Sequence, residues 1–253
     1  AKNPAIVLPD ADLQVAVSEC ITGSLSFNGQ RCTALKILLV HRSIVESFIQ
    51  KFNAEIQKLK PGMPWTEGVA LTPLPEPGKV DYLRDLVEDA RKHGAEITNE
   101  NGGVYAESFF YPAVLYPVNY RMKIYYEEQF GPVVPIVPFD EDDEAIHYVV
   151  NSNYGQQVSI FGTDSKRVAH LIDAFVNQVG RININSQSQR SPDTFPFNGR
   201  KDSAEGTLSI ADALRVFSIR TLVATKSTES NKQMLNTIIE NRESAFLSTE
   251  YIL

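Results

Sequence analysis

Runs of apolar residues with the length of buried strands alternate with helix-like segments along most of the chain. In the helix-like segments, apolar residues recur every three or four positions, which is the spacing of one helix face. This alternation is typical of α/β proteins, and we predict a mainly parallel open sheet with helices on both faces. The predicted strands are residues 5–8, 35–41, 133–139, 157–161 and 181–185. The predicted helices include residues 11–27, capped by Asp10, and 79–93, with others opening at a Ser43–Glu46 capping box and at Ser165.

Charge and rare residue types exclude several classes of function. The 253 residues carry a net charge of −7, which argues against a nucleic-acid-binding surface. Two cysteines and four scattered histidines give neither a disulfide framework nor a zinc-binding spacing, so we expect no metal and a reducing, cytoplasmic compartment. We also expect no membrane partner, since no apolar run approaches a membrane span and residues 1–4 lack signal-peptide features.

The candidate nucleophile is Cys32, in a glycine-containing turn between a predicted helix and a predicted strand. Arg31 places a guanidinium beside the thiol, and a neighbouring positive charge favours the nucleophilic thiolate. From residue type alone a structural role in the core is the favoured alternative for Cys32, because most intracellular cysteines are small buried hydrophobes. Cys20 fits that alternative, since it lies in the apolar stripe of the preceding helix, and we predict that it belongs to the core.

Three further stretches are predicted to be loops. Residues 61–78 contain five prolines, which exclude regular structure and predict a long ordered loop. The acids Glu127 and Glu128 precede a buried strand, and from the residues alone a solvated loop is the favoured interpretation. Residues 186–206 are polar and follow the strand at 181–185, so this loop is expected to approach the Cys32 turn at the strand ends of the sheet.

The C-terminal part has a different pattern. Residues 216–225 are rich in β-forming residues and predict a strand. Residues 227–253 predict an amphipathic helix that packs on the domain or on a partner, with a functional tail as the alternative.

Four motifs follow one another along the chain. They are Phe27-Asn28-Gly29-Gln30-Arg31-Cys32, Glu127-Glu128-Gln129-Phe130-Gly131-Pro132, residues 151–155, and Phe195-Pro196-Phe197-Asn198-Gly199 with Arg200-Lys201-Asp202-Ser203. In this order they resemble the catalytic half of an aldehyde dehydrogenase. Within that superfamily, Arg31, Thr72-Pro73-Leu74 and residues 189–193 are most similar to the non-phosphorylating glyceraldehyde-3-phosphate dehydrogenases. The resemblance implies that residues 1–206 are a catalytic domain and that residues 207–226 contain a strand that extends a neighbouring subunit's sheet, as in a homodimer or homotetramer.

The resemblance also implies roles for individual residues. Cys32 would attack an aldehyde to form a thiohemiacetal, and hydride transfer to NADP or NAD would leave a thioester for hydrolysis. Glu128 would bind the nicotinamide ribose, with Glu127 as a possible one-residue shift, and Phe130 would flank the nicotinamide.

The substrate would be held by two arginines and an aromatic ring. Arg31 and Arg190 match the positions that hold a substrate phosphate, and guanidinium groups suit phosphate oxygens. A carboxylate-bearing aldehyde could use the same two arginines, and surface ion pairs are the structural alternative. Phe197 would line the aldehyde pocket.

The sequence departs from the family pattern in two ways. It contains no glycine-rich strand-to-helix turn, so the cofactor-binding Rossmann domain is expected to lie outside this chain. The family motif that carries the general base would precede Lys2-Asn3-Pro4, and the isolated chain is therefore expected to be inactive. A non-catalytic oligomerisation or binding module remains the alternative function.

Overall fold

The computed structural model of this chain describes residues 1–219 and 221–247. It divides into two compact units. The first comprises residues 1–191 and 197–206, and the second comprises residues 192–196 together with the chain from Thr207 onward. The predicted site residues all belong to the first unit.

The first unit is built on a seven-stranded sheet. Its strands are β1 (Asn3–Val7), β2 (Leu35–His41), β5 (Glu96–Ile97), β8 (Ala113–Tyr116), β9 (Val133–Phe139), β11 (Gln157–Phe161) and β12 (Arg181–Ile184). The strand order is β12-β11-β1-β2-β9-β8-β5. Every neighbouring pair is parallel except the edge pair β5 and β8.

Three two-stranded ribbons surround this sheet. They pair β3 (Lys60–Pro61) with β4 (Val69–Leu71), β6 (Tyr105–Ala106) with β7 (Phe109–Phe110), and β10 (Tyr154–Gly155) with β13 (Arg200–Lys201). The helices are α1 (Leu13–Leu25), α2 (Val45–Ile56), α3 (Lys79–Lys92), α4 (Lys123–Tyr126), α5 (Asp142–Asn151), α6 (Ser165–Phe175), α7 (Ile210–Val216) and α8 (Glu229–Glu240), with a 3₁₀ turn at Ser26–Gly29.

Helices cover both faces of the sheet, because strand side chains alternate in direction. On one face, Ala5 and Val7 of β1 share a buried cluster with Cys20 of α1 and Phe52 of α2. On the other face, Ile6 packs in a second cluster with α5 and α6. A third cluster packs α3 against β8 and the start of β9. The predicted α/β fold with a mainly parallel sheet is therefore confirmed, and so is the core position of Cys20.

The predicted caps of α1 and α2 are wrong. Asp12, not Asp10, caps α1, and its carboxylate accepts from the backbone N–H groups of Gln14 and Val15. Asp10 accepts instead from the N–H of Thr163, because the long-range turn offers it a competing donor. The predicted Ser43–Glu46 capping box does not form, since α2 begins one residue later with no side-chain cap.

Two segment predictions also differ from the structure. The proline-rich residues 61–78 are mostly loop but contain β4, because Val69–Leu71 lies between the prolines and can pair. Residues 216–225 contain no strand among those described, and Val216 instead ends α7. A strand needs a neighbouring edge for its backbone hydrogen bonds, and no strand of the described residues pairs with this segment.

The second unit contains α7 and α8. Helix α8 lies where the amphipathic pattern predicts a helix, and Thr228 caps it by accepting from the N–H of Asn231. Residues 208–219 with 221–223, here called the apolar segment, carry large apolar side chains that are about half or more exposed. These are Leu208, Ile210, Leu214, Val216, Phe217, Ile219, Leu222 and Val223. Across the described part of the chain, no helix has the length and apolar character required to cross a membrane.

Candidate active site

The turn that carries Cys32 has an unusual backbone. Phe27, Asn28 and Gly29 are consecutive left-handed residues with φ of 54°, 57° and 70°. A side chain at Gly29 would meet the carbonyl oxygens of Ser24 at 2.7 Å and Gly131 at 2.9 Å. Glycine is therefore required there both for the backbone angle and for the close approach of the 127–132 motif.

A side chain from the turn stabilises this backbone. Asn28 is buried and donates from Nδ2 to the Thr72 carbonyl at 3.1 Å and to Thr72 Oγ1 at 2.8 Å. In return, Thr72 N–H donates to Asn28 Oδ1 at 3.0 Å. Such a set of mutual bonds compensates for the strain of a non-glycine residue at positive φ. The loop at 61–78 thus holds the turn in place.

The Cys32 backbone is fixed from the sheet side, while its side chain is exposed. Asn3, which is fully buried in β1, donates from Nδ2 to the Cys32 carbonyl at 2.8 Å and the Ala34 carbonyl at 3.0 Å. Its Oδ1 accepts from Gln157 N–H at 3.0 Å, which fixes the amide orientation. Among residues 1–219 and 221–247, no recorded hydrogen bond uses the Cys32 N–H as its donor.

One buried ammonium group joins the two central motifs. Lys36 is only 2% exposed, and its Nζ donates to the carbonyls of Arg31 at 2.7 Å and Cys32 at 3.3 Å. The same Nζ lies 3.0 Å from a carboxylate oxygen of Glu128 and 5.3 Å from the centre of the Phe130 ring. The cysteine turn, the acid and the aromatic ring of the family motifs therefore meet around Lys36.

The charge of Glu128 is set by this contact. Burial alone would raise the pKa of its carboxyl group, but the Lys36 ammonium and the Ala1 amino group, which lies 2.9 Å from the same carboxylate, together hold that pKa below its usual value. The pKa of Lys36 is lowered because burial outweighs its attraction to Glu128. Glu127, by contrast, is exposed, and its carboxylate accepts from the Tyr82 hydroxyl at 3.4 Å. Glu128 is thus the acid that faces the cysteine turn.

A second buried lysine holds the segment before Glu128. Lys2 is 1% exposed, and its Nζ donates to the carbonyls of Ile124 at 2.6 Å and Glu127 at 2.7 Å and to Gln129 Oε1 at 2.8 Å. Gln129 Nε2 in turn donates to the Lys36 carbonyl at 2.8 Å. Burial lowers the pKa of Lys2 well below its usual value. These bonds attach the acidic motif to β1 and β2.

Arg31 points toward the end of α1 and the loop at 186–206. Its Nη2 lies 3.4 Å and 3.3 Å from the carbonyls of Thr22 and Gly23, and 3.5 Å from Gln187 Oε1. Gln187 N–H also donates to Glu19 at 2.8 Å. The predicted approach of this loop to the cysteine turn is therefore observed through Gln187.

The same loop positions Arg190 beside Phe197. The Arg190 guanidinium lies 5.1 Å from the centre of the Phe197 ring, which is a cation–π distance. The backbone just before Arg190 is held by Gln157 Nε2, which donates to the Gln189 carbonyl at 2.9 Å. Arg190 and Phe197 thus lie in one loop.

The third and fourth motifs meet in one ribbon. Gly155 of β10 pairs with Arg200 of β13, and its N–H donates to Ser203 Oγ at 3.0 Å. Lys201 Nζ donates to the carbonyls of Val149, Val150 and Ser152 at 2.8–2.9 Å, which satisfies the C-terminal end of α5. The fourth motif therefore ties the loop at 186–206 back to the sheet.

Sequence reasoning missed Lys2, Asn3 and Lys36 as parts of this site. Lys36 lies inside the apolar run of β2, and a charged residue in such a run requires a buried partner. That signal was available, although the sequence does not name the partner. Among the described residues, no cluster of three or more His, Cys, Asp or Glu side chains could hold a metal ion.

The mainly parallel α/β fold and the four motifs define the class of protein, and comparison with known proteins gives the family. The model of the aldehyde dehydrogenase family matches residues 1–223, and the chain belongs to this family.

Relatives and solved structures agree with this assignment. The NADP-dependent glyceraldehyde-3-phosphate dehydrogenase of Apium graveolens is 36% identical over 225 residues, covering 88% of this chain and 44% of that protein. The crystal structure of the enzyme with that name from Bacillus halodurans, complexed with NADP, is 34% identical with a TM-score of 0.80, covering 85% of this chain and 44% of that one. Succinate-semialdehyde dehydrogenase from Burkholderia pseudomallei is 30% identical with a TM-score of 0.77, covering 82% and 42%. The chain thus spans less than half the length of these relatives.

Proposed function

We propose that this chain is the catalytic part of an NADP-dependent aldehyde dehydrogenase that oxidises glyceraldehyde 3-phosphate to the carboxylate. The observation that supports this most directly is the gathering of Cys32, Glu128 and Phe130 around Lys36. Three residues from two separate motifs, each with a role in the family chemistry, lie about one buried ammonium.

The proposed reaction begins at the exposed Cys32 thiol. Its thiolate forms a bond to the aldehyde carbon, and the electron pair of the carbonyl bond moves to oxygen as an oxyanion. The Cys32 N–H is available to donate to that oxyanion, because Asn3 and Lys36 hold the carbonyl side of the same residue. Loss of hydride from the thiohemiacetal leaves a thioester, and water releases the carboxylate and regenerates the thiol.

The residues present fit a nicotinamide cofactor. Glu128 is a partly exposed carboxylate whose lowered pKa keeps it ionised, so it can accept hydrogen bonds from ribose hydroxyls. Phe130 is partly exposed, and the centre of its ring lies 5.3 Å from the same Lys36 ammonium. The cofactor, when bound, supplies the acceptor for the hydride. We propose NADP rather than NAD as the cofactor, because the similar enzymes from Apium graveolens and Bacillus halodurans are named as NADP-dependent.

The phosphate of the substrate is proposed to bind Arg31 and Arg190. Both guanidinium groups border the loop at 186–206, Arg31 through Gln187 and Arg190 within the loop itself. Each charged hydrogen bond to a phosphate oxygen contributes about 1.5–3 kcal/mol. Phe197, beside Arg190, is proposed to line the aldehyde pocket.

A second candidate substrate is an aldehyde that carries a carboxylate. The similarity to succinate-semialdehyde dehydrogenase favours this candidate, because the same two arginines can hold a carboxylate. For the whole protein we further propose a homodimer or homotetramer in the cytoplasm, without nucleic-acid or membrane partners, in which a separate domain binds most of the cofactor. The isolated chain is then inactive.

The test measures NADP reduction by the longest natural polypeptide that contains this chain, in buffer free of inorganic phosphate. We expect Arg190→Ala to lower kcat/KM for glyceraldehyde 3-phosphate about tenfold or more, with a much smaller loss for glyceraldehyde. Cys32→Ser is the inactive control. Equal losses for both aldehydes would contradict the phosphate role, preference for a semialdehyde would favour the second candidate, and no reduction with any aldehyde would favour a binding module.

A further inference from the structure

A buried charge at the centre of the site has no role in the reaction described above. Lys36 lies in β2, in the apolar run between Leu35 and Ile37, where an unpaired ammonium would be strongly unfavourable. Its three oxygen contacts satisfy it, but two of those oxygens belong to the cysteine turn and the third to Glu128. The residue therefore connects two functional groups that are 96 positions apart by residue number.

We propose that Lys36 is a positioning residue that aligns the Glu128 carboxylate with the Cys32 turn and thereby couples cofactor binding to the nucleophile. This inference rests on the proposed function. Lys36 touches neither the aldehyde nor the reacting sulfur in this arrangement, and it acts through the carboxylate and the two carbonyls.

The geometry explains why a single ammonium suits this role. A lysine Nζ has three donors and no acceptor, and here it bonds to the Arg31 carbonyl, the Cys32 carbonyl and a Glu128 oxygen. The contact with Glu128 uses one carboxylate oxygen, so the other oxygen can face a ribose hydroxyl. The nearby Phe130 ring limits the directions that the ammonium can take.

The other lysines with similar contacts lie elsewhere. Lys2 bonds to the segment before Glu128 but has no recorded bond to the Glu128 carboxylate or to the cysteine turn. Lys201 also satisfies three oxygens, all of them carbonyls near the end of α5. Lys201 is therefore a matched control, because its removal costs the same kind of bonds away from the acid and the cysteine.

The experiment is a double-mutant cycle on NADP binding, using the longest natural polypeptide that contains this chain. We expect Lys36→Met to weaken the Kd for NADP about tenfold or more, while Lys201→Met changes it less than about twofold. Lys36→Met added to Glu128→Gln should weaken binding little beyond Glu128→Gln alone, because the lysine acts through that carboxylate. A lysine that supports the fold in general would instead give additive losses.

Further variants keep the test decisive. The double variant Lys36→Met with Glu128→Gln removes both members of this ion pair, so it gives a second measurement in which neither of the two charges is left without the other. Lys36→Arg retains the charge and should recover part of the lost affinity. If the wild type binds NADP and the two variants Lys36→Met and Lys201→Met have equal Kd values, the positioning role is overturned and the proposed function stays intact. A wild type that neither binds nor reduces NADP would overturn the proposed function, and the positioning role with it.

Discussion

Two regions of the molecule depart from the usual burial of apolar and exposure of charged side chains, and they do so in opposite directions. Around the candidate site, Lys2 and Lys36 are buried to within 2% of full burial. In the apolar segment, Phe217 and Ile219 are 91% and 99% exposed. The buried lysines find their oxygen partners within the first unit, so both ammonium groups are hydrogen-bonded there. The apolar side chains of this segment stay exposed among the described residues, and we propose that a second copy of the chain covers them.

The largest effect expected from this comparison is on stability at the buried lysines. Lys2→Met should lower the free energy of unfolding by about 3 kcal/mol, because it leaves the carbonyls of Ile124 and Glu127 buried without a donor. The midpoint of thermal unfolding measures this loss. Lys58→Met is the control, since Lys58 is 67% exposed in its ion pair with Glu55 and should change stability by less than about 0.5 kcal/mol. Equal shifts would show that burial does not distinguish these lysines.

Substitutions in the apolar segment should change the assembly of the protein and leave the stability of the single chain almost unchanged. Replacing Phe217 and Ile219 by serine should leave the stability of the single chain within about 0.5 kcal/mol, because both side chains are already exposed. We expect the same double substitution to reduce the assembly to a smaller species in sedimentation velocity. Val176→Ser is the control, because Val176 is a half-exposed apolar residue outside the segment. An unchanged sedimentation coefficient in the double variant would argue against the subunit contact.

The smallest effect is expected on the way stability falls as the pH is lowered. Because the folded-state pKa of Glu128 lies below its ordinary 4.5, this group stabilises the fold above that pH and loses its contribution as the pH falls through the lowered value. Thermal midpoints should therefore drop less between about pH 5.5 and about pH 3.5 in Glu128→Gln than in wild type. The difference is small, since Glu128 is partly exposed and solvent screens its ion pair. If the thermal midpoints of the two proteins fell equally between these pH values, the stabilising role of ionised Glu128 would be contradicted.

The sequence predicts the sheet because its signal is local. The apolar runs of β2, β9 and β11 each read as strands, and the stripe containing Cys20 reads as a helix face. The caps of α1 and α2 are missed because capping depends on which donors compete for a side chain, as Asp10 shows by bonding to Thr163. Such contacts join positions far apart in the chain.

The candidate site is only partly readable for the same reason. The Cys32 and Glu128 motifs are visible as short strings of residues, whereas Lys36 reads as one polar position in an apolar strand. Its importance depends on the parallel pairing of β2 with β9, which brings the segment before β9 beside the cysteine turn. The strand expected at 216–225 would need the edge of another strand to pair with, and a local pattern carries no information about such an edge.

The left-handed turn before Cys32 also bears on the order in which the chain folds. Its lock, Asn28, has to reach Thr72, which lies 44 positions further along the chain. Closing a connection of that length costs entropy that only the packing of the intervening helix α2 can offset. We expect the turn to acquire its final geometry late, after the first half of the sheet has assembled. In an incompletely folded chain Cys32 would then lack this backbone geometry, which would arise only with the finished fold.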